Sequence, residues 1–183
     1  MPLLAATKPT DLAVEGLRSL RTGLHFGMLD APSRTLAITS TAPGAGKSFL
    51  SANFAVVSAQ AGQTVCLIDA DMRRGRLRRM FDVPRDAPGF ADILTGQARL
   101  EDVLVPTGVA GLVFLPAGKF PPNPAELLLR PTLGALIREL DQRFDLSIFD
   151  CPPVLAVTDP VIIAKAAGCL LYTSPSPRDR TRS

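Results

Sequence analysis

The sequence predicts an α/β protein in which a parallel sheet carries helices on both faces. Three observations predict it. Four short runs, Thr35 to Thr39, Thr64 to Ile68, Leu112 to Leu115 and Leu146 to Phe149, are apolar or β-branched at nearly every position. Strands without polar alternation are buried on both faces, as parallel strands are. Stretches of helical periodicity separate these runs, as βαβ crossovers require. A turn rich in glycine, Pro43 to Ser48, joins the first run to the helix that follows it.

Each element has a local reason. Asp11 to about Met28 reads as an amphipathic helix: Ala13, Leu17, Leu20 and Leu24 form one apolar stripe, and Pro9-Thr10-Asp11 is a start signal. Leu29 to Arg34 is a turn, and Thr35 to Thr39 the first strand. Phe49 to Ala61 is a helix ended by Gly62. Thr64 to Ile68 is the second strand, followed by a basic and less regular stretch to Pro88. Two short helices flank Gly96, and Leu112 to Leu115 is the third strand. A proline-rich loop from Phe120 feeds one helix running to about Arg143. Leu146 to Phe149 is the fourth strand, and Asp159 to Ala167 a last helix. No internal repeat occurs.

A chain of 183 residues suits one domain with a sizeable core. No uncharged apolar run reaches the roughly 18 residues of a membrane span. MPLLAATKPTD is too short and too weakly apolar to read as a signal peptide. Cys66, Cys151 and Cys169 lie in or beside apolar runs without metal-ligand spacing, and read as buried reduced thiols. The net charge of +3 raises the question of nucleic acid. The last fifteen residues hold three of the twenty Lys and Arg but one of the seventeen Asp and Glu, so without them the charge falls to +1. The basicity belongs largely to that tail.

The stretch STAPGAGKS, Ser40 to Ser48, ends like a phosphate-binding loop but has Thr41 where the usual pattern has its first glycine. Strand, glycine-rich turn and helix form the right context, because N–H groups at a helix start face an anion and the helix dipole favours it. Gly44 and Gly46 permit close backbone approach, Lys47 can reach the β- and γ-phosphates, and Ser48 can offer a hydroxyl to Mg²⁺. The second strand ends in Asp69 and Asp71, two residues apart, and the fourth in Asp150. Ligands of open parallel sheets bind at the carboxyl ends of strands. Three carboxylates there read as a Mg²⁺ and proton-transfer constellation, although single strand-end aspartates are commonly just solvated.

These residues resemble the bacterial tyrosine kinases of capsule and exopolysaccharide synthesis. Their loop typically reads P-G-E-G-K-[ST] without the first glycine, and here it is PGAGKS, Pro43 to Ser48. A strand ending I-D-x-D-x-R matches Ile68 to Arg73, and one ending D-x-P-P matches Asp150 to Pro153, with Val157-Thr158-Asp159 following. The helix signature E-x-x-R-x-x-R-T matches Glu15, Arg18, Arg21 and Thr22, and Pro116 to Leu128 also resembles the family. The likeness runs from about Ala13 to Ala167. Ala45 departs from it, standing where the family often has Glu. The related cell-division and plasmid-partition ATPases carry K-G-G-x-G-K-T, whose extra lysine crosses to a partner subunit; the matching position here is Ala42.

The resemblance implies a P-loop NTPase-like fold, C-terminally truncated, and an ATP-dependent protein-tyrosine autokinase using Mg²⁺. It implies that Pro43, Gly44, Ala45, Gly46, Lys47, Ser48 and Phe49 hold ATP, with Ser48, Asp71 and Asp150 ordering the metal. Lys47, Asp69, Asp71 and Asp150 would be catalytic, Asp69 orienting or deprotonating the incoming tyrosine hydroxyl. Sequence leaves the roles of Asp69 and Asp71 exchangeable. On helical geometry Glu15 and Arg18 fall opposite the leucine stripe and Arg21 on its flank. That pattern fits a solvated Glu–Arg face; the resemblance implies subunit contacts in a homo-oligomeric ring. It further implies a location at the inner face of the cell membrane. A membrane-spanning activator, separate or part of a longer chain, would be one partner. The tyrosine-rich tail of a neighbouring subunit would be another. A nucleotide-switch positioning ATPase and a non-catalytic scaffold controlling polysaccharide length are the alternatives.

Arg73, Arg74, Arg76, Arg78 and Arg79 read as a solvated basic helix face, open to phosphates or an acidic substrate; without interleaved aromatics, no nucleic-acid partner is expected. His25 reads as a helix-end residue. From Cys169 the composition changes abruptly. CLLYTSPSPRD is what a transposon-type sequencing adapter encodes when read in frame, so the native domain is expected to end near Gly168 and residues 169–183 to be foreign. CLLYT is apolar enough to fill a strand slot; SPSPRDRTRS is expected to be disordered. Tyr172, the only tyrosine, is then no evidence for an autophosphorylation site.

Overall fold

The computed structural model describes residues 3–174. The expected disorder of SPSPRDRTRS falls, beyond Ser174, outside them. In chain order the elements are α1 (Leu4–Thr7), α2 (Leu12–Gly27), β1 (Thr35–Ser40), α3 (Lys47–Gln60), β2 (Val65–Asp69), a 3-10 turn (Leu77–Met80), α4 (Phe90–Leu94) and α5 (Leu100–Val103). There follow β3 (Val105–Pro106), β4 (Leu112–Leu115), α6 (Pro124–Leu128), α7 (Pro131–Arg143), β5 (Leu146–Asp150), α8 (Asp159–Ala166) and β6 (Cys169–Thr173).

The six strands form one sheet in the order β3-β4-β2-β5-β1-β6. All neighbours are parallel except β3, which pairs antiparallel with β4 at the edge. Every residue of β1, β2 and β5 is buried, which is why these strands show no alternation in sequence. Side chains still alternate between faces. Ile38, Leu67 and Ile148 pack with Phe54 of α3, whereas Ile68 and Phe149 pack with Phe90 of α4 and Leu136 of α7. Phe90 meets Phe149 edge to face, with ring centroids 5.7 Å apart.

The start signal of α2 holds: the Asp11 carboxylate accepts from Ala13 N–H at 2.9 Å. Its stripe is shifted, because Val14 and Leu17 are buried while Ala13 is exposed. The helix expected to reach Arg143 is two helices. Pro131 has no N–H to continue the ladder from α6, and it starts α7 instead. The arginine-rich stretch is a loop with a single 3-10 turn, not a helix face, since Asp69 and Asp71 draw its backbone N–H groups away from any helical ladder. CLLYT forms β6, paired with β1 from Leu36↔Cys169 to Ser40↔Thr173. Cys66 and Cys151 are buried as expected, but Cys169, on the sheet edge, is only half-buried.

Candidate nucleotide and phosphoryl-transfer site

β1 and β5 are neighbours, and β5 lies next to β2 with Asp69 opposite Asp150. This order brings three carboxyl-end segments together: the loop after β1, Asp150 ending β5, and Asp69 to Arg79 after β2.

The loop turns through Gly44 at φ 81° and Gly46 at φ 75°, the left-handed region that disfavours a side chain. A Cβ at either glycine would meet nothing within 4 Å, so the ground above the loop is open. Gly46 is the N-cap of α3. Among the described residues, the N–H groups of Gly44 to Ser48 donate to no other protein group. Such a cradle at a helix N-terminus fits a phosphate. Lys47 is buried and pairs with Asp150 at 2.8 Å. Asp150, also buried, accepts from Ser48 Oγ at 2.8 Å and from Ser51 Oγ at 3.0 Å. One carboxylate thus fixes the lysine and two hydroxyls.

A cavity of about 430 Å³ lies between the end of α2 and Asp145, remote from this loop. The loop instead borders a cavity of about 410 Å³ lined by Pro43, Gly44, Gly46, Lys47, Ser48 and Phe49, together with Asp71, Asp150 and three arginines. Ala45 does not line it. Asp69 lies elsewhere, in an adjoining cleft of about 870 Å³ with Arg78, Arg85 and Lys119. Asp71 thus borders the nucleotide cavity and Asp69 the adjoining cleft. Asp71 Oδ1 accepts from Arg73 N–H and Arg74 N–H at 3.2 and 2.9 Å. Asp69 is fully buried and accepts from Leu77 N–H at 3.2 Å and Asp71 N–H at 3.3 Å. Burial above all, then the charges of Asp150 and Asp71, hold its carboxyl well above the usual carboxylate range.

The residues expected to order the metal, Ser48, Asp71 and Asp150, all line the nucleotide cavity, whereas Asp69, expected to handle the proton, lines the cleft. Among the described residues, no group of three or more His, Cys, Asp or Glu could hold a metal. The turn after β2 carries Asp71 toward the loop while Asp69 stays in the sheet. Ser48 and Asp150 still offer hard oxygens side by side, and Mg²⁺ commonly takes one or two carboxylates, substrate phosphates and water.

Three features escaped sequence reading. Ser51 on Asp150 is one turn beyond the recognised motif. Asp159 is fully buried and holds Arg73 through two contacts of 3.1 Å, so that arginine anchors the turn instead of being solvated. Gly75 sits where a Cβ would fall 2.7 Å from Asp69 Oδ2. The arginine fork and the glycine were visible as residue types; Asp159 is distant in sequence from Arg73, and the closeness of Gly75 to Asp69 depends on the path of the turn between them. On α2, Glu15 and Arg18 pair with each other as a solvated face would. Arg21 differs: its Nε is buried without a partner among the described residues, at the rim of the cavity near α2. His25 is exposed at the end of α2.

A parallel sheet, a glycine turn with unpaired N–H groups, and a buried Lys–Asp pair together define a P-loop nucleotide-binding domain. Comparison narrows the class. Residues 33–177 match the family model described as AAA domain. Tyrosine-protein kinase wzc of Salmonella typhimurium is 43% identical over 172 residues, covering 94% of this chain and 24% of that protein. The solved BceF tyrosine kinase domain is 48% identical at TM-score 0.85, covering 93% of this chain and 68% of that one. The septum site-determining protein MinD from Pyrococcus horikoshii, complexed with Mg-ADP, is 25% identical at TM-score 0.65, covering 76% and 57%. The chain belongs to the bacterial tyrosine-kinase domains of the AAA-domain family. It spans about a quarter of the length of the curated relatives it matches. Among the described residues no helix is long and apolar enough to cross a membrane.

Proposed function

We propose that this chain is an ATP-dependent protein-tyrosine kinase domain of a capsule or exopolysaccharide system. One observation carries the reading: Lys47, Ser48 and Asp150 converge beside the glycine loop while the buried Asp69 lies one strand away. The loop N–H groups and Lys47 hold the triphosphate of ATP. Ser48 and Asp150, with Asp71 in the same cavity, would hold Mg²⁺, which supplies charge neutralisation. Asp69 orients the acceptor hydroxyl and takes its proton, and its raised proton affinity suits a base. The bond from tyrosine oxygen to the γ-phosphorus forms, the bond to the β-phosphate oxygen breaks, and ADP leaves.

The whole protein acts at the inner face of the membrane with a membrane-spanning activator, and assembles a ring through Glu15, Arg18 and Arg21. A neighbour's tyrosine-rich tail is then the acceptor. The MinD-type likeness supports the fold; Ala42 gives no crossing lysine for that mechanism. Incubating the full-length parent, tyrosine-rich tail included, with its activator and γ-labelled ATP tests the reading. Labelled phosphotyrosine is expected. Phosphate release without phosphotyrosine would favour the positioning ATPase, and neither product the scaffold.

A further inference from the structure

The cleft beside Asp69 is more strongly cationic than its role as a wall of the turn requires. It is lined by Arg74, Arg76, Arg78, Arg79, Arg85 and Lys119, besides the anchored Arg73. The carboxylates lining it are Asp69 and Asp86. Elsewhere Arg18, Arg99 and Arg143 each have a carboxylate partner. Among the described residues none of these six cations forms an ion pair. Like charges crowded without partners repel, so the arrangement favours an anionic occupant.

The walls are held by backbone. Leu77 N–H is tied to Asp69, and Val83 N–H to Arg78 O at 3.0 Å. On the opposite wall, Asp92 Oδ2 accepts from Gly89 N–H at 2.8 Å and Lys119 N–H at 3.3 Å. A Cβ at Gly89 would fall 2.1 Å from Pro116 O, so only glycine allows these segments to meet. Arg74, Arg76 and Arg79 line both this cleft and the nucleotide cavity, making the two contiguous. Asp69 lines this cleft and not the nucleotide cavity, so the cleft is the space through which an acceptor would reach it.

We propose that this cleft docks the anionic flanks of the tyrosine segment that the site phosphorylates, with Arg78, Arg85 and Lys119 reading those flanks. The proposal deepens the kinase reading and rests on it. Carboxylates and existing phosphotyrosines share the required chemistry. A nucleic acid fits less well: among the described residues Phe120 is the one aromatic lining the cleft, whereas a bound strand stacks successive bases on several.

The test uses the full chain, Mg-ATP and short peptides with one tyrosine flanked by Glu, by phosphotyrosine, by Ala or by Lys. Anisotropy of fluorescent Tyr→Phe versions, with a non-hydrolysable ATP analogue, reads binding apart from transfer. Glu-flanked peptide is expected to show KM and Kd at least about tenfold below the Ala-flanked one, a gap that narrows with salt. Arg78→Glu, Arg85→Glu and Lys119→Glu together should abolish or reverse the preference without changing KM for ATP or kcat at saturating peptide. Arg85→Glu alone should weaken it. A tighter phosphotyrosine peptide identifies products of earlier rounds as the anion source; a tighter Glu peptide identifies carboxylates. Transfer without flank preference overturns the docking proposal and leaves the kinase reading standing. Flank-dependent binding without transfer supports the docking proposal and counts against the kinase reading. Neither binding nor transfer overturns both, and an oligonucleotide that displaces the peptide more tightly than the peptide binds overturns the docking proposal.

Discussion

Asp150 gathers the site's lysine and two serines, and Asp69 stands apart from them in the neighbouring strand. Lys47→Met removes the cation at the loop and leaves Asp150 buried without its charge partner. Phosphoryl transfer is expected to fall at least about 100-fold, the scale of losing one strong electrostatic contact in a dry site. Undiminished tyrosine labelling would refute the assignment. Asp69→Asn should lose transfer while keeping most of the affinity for ATP, since Asp69 does not line the nucleotide cavity. Its second signature is thermodynamic. A carboxyl with a raised folded pKa binds its proton more tightly in the folded state. Stability therefore declines as pH climbs from the ordinary carboxyl value of about 3.9 toward the folded value. Asn does not titrate, so the Tm difference between variant and parent should move in the variant's favour from about pH 5 to about pH 8. A difference constant with pH would show that Asp69 does not titrate abnormally. The identity of these groups was legible in the motifs. Their division between two cavities was not, because it depends on hydrogen bonds from Arg73, Arg74 and Leu77 to carboxylates at varied separations.

Among elements, those with one strong physical cause were readable. β4 falls where the apolar run places it, and α3 begins two residues before its expected start because Lys47 and Ser48 already belong to it. β3 was not readable: it has two residues and owes its existence to pairing with β4. The arginine stretch was misread for a related reason, its path being set by Asp69, Asp71 and Asp159 and not by periodicity. Packing between elements gives a direct test. Phe149→Ala empties a fully buried site between β5 and α4 and should cost about 3–5 kcal/mol, read by urea unfolding. A loss below about 1 kcal/mol would mean that the face can collapse around the vacancy. On α2 the expectation is the opposite. Changing Glu15, Arg18 and Arg21 together to Ala should shift oligomers toward monomer in sedimentation, with stability altered by no more than about 1 kcal/mol. An unchanged mass distribution would discard the ring interface.

At the scale of the molecule, β1 is flanked by β5 on one side and β6 on the other. Removing residues 169–183 strips that second neighbour and bares an apolar edge. The shortened chain is expected to have a lower Tm and to aggregate at concentrations the parent tolerates. Equal solubility by light scattering would show that β6 protects nothing. Whether β6 belongs to the native gene is a separate proposal, decided by reading source DNA across the codons for Gly168 and Cys169. The sheet order has a consequence in time. β1 and β2 leave the ribosome before β5, with which both pair and which begins at Leu146. At roughly 5–20 residues per second, about a hundred residues separate the emergence of the glycine loop from that of Asp150 by some 5–20 s. Throughout that interval the nascent chain presents an unpaired apolar strand. The contacts of Lys47, Ser48 and Ser51 with Asp150 can form only after that interval, so the glycine loop is complete in sequence well before it is complete as a site.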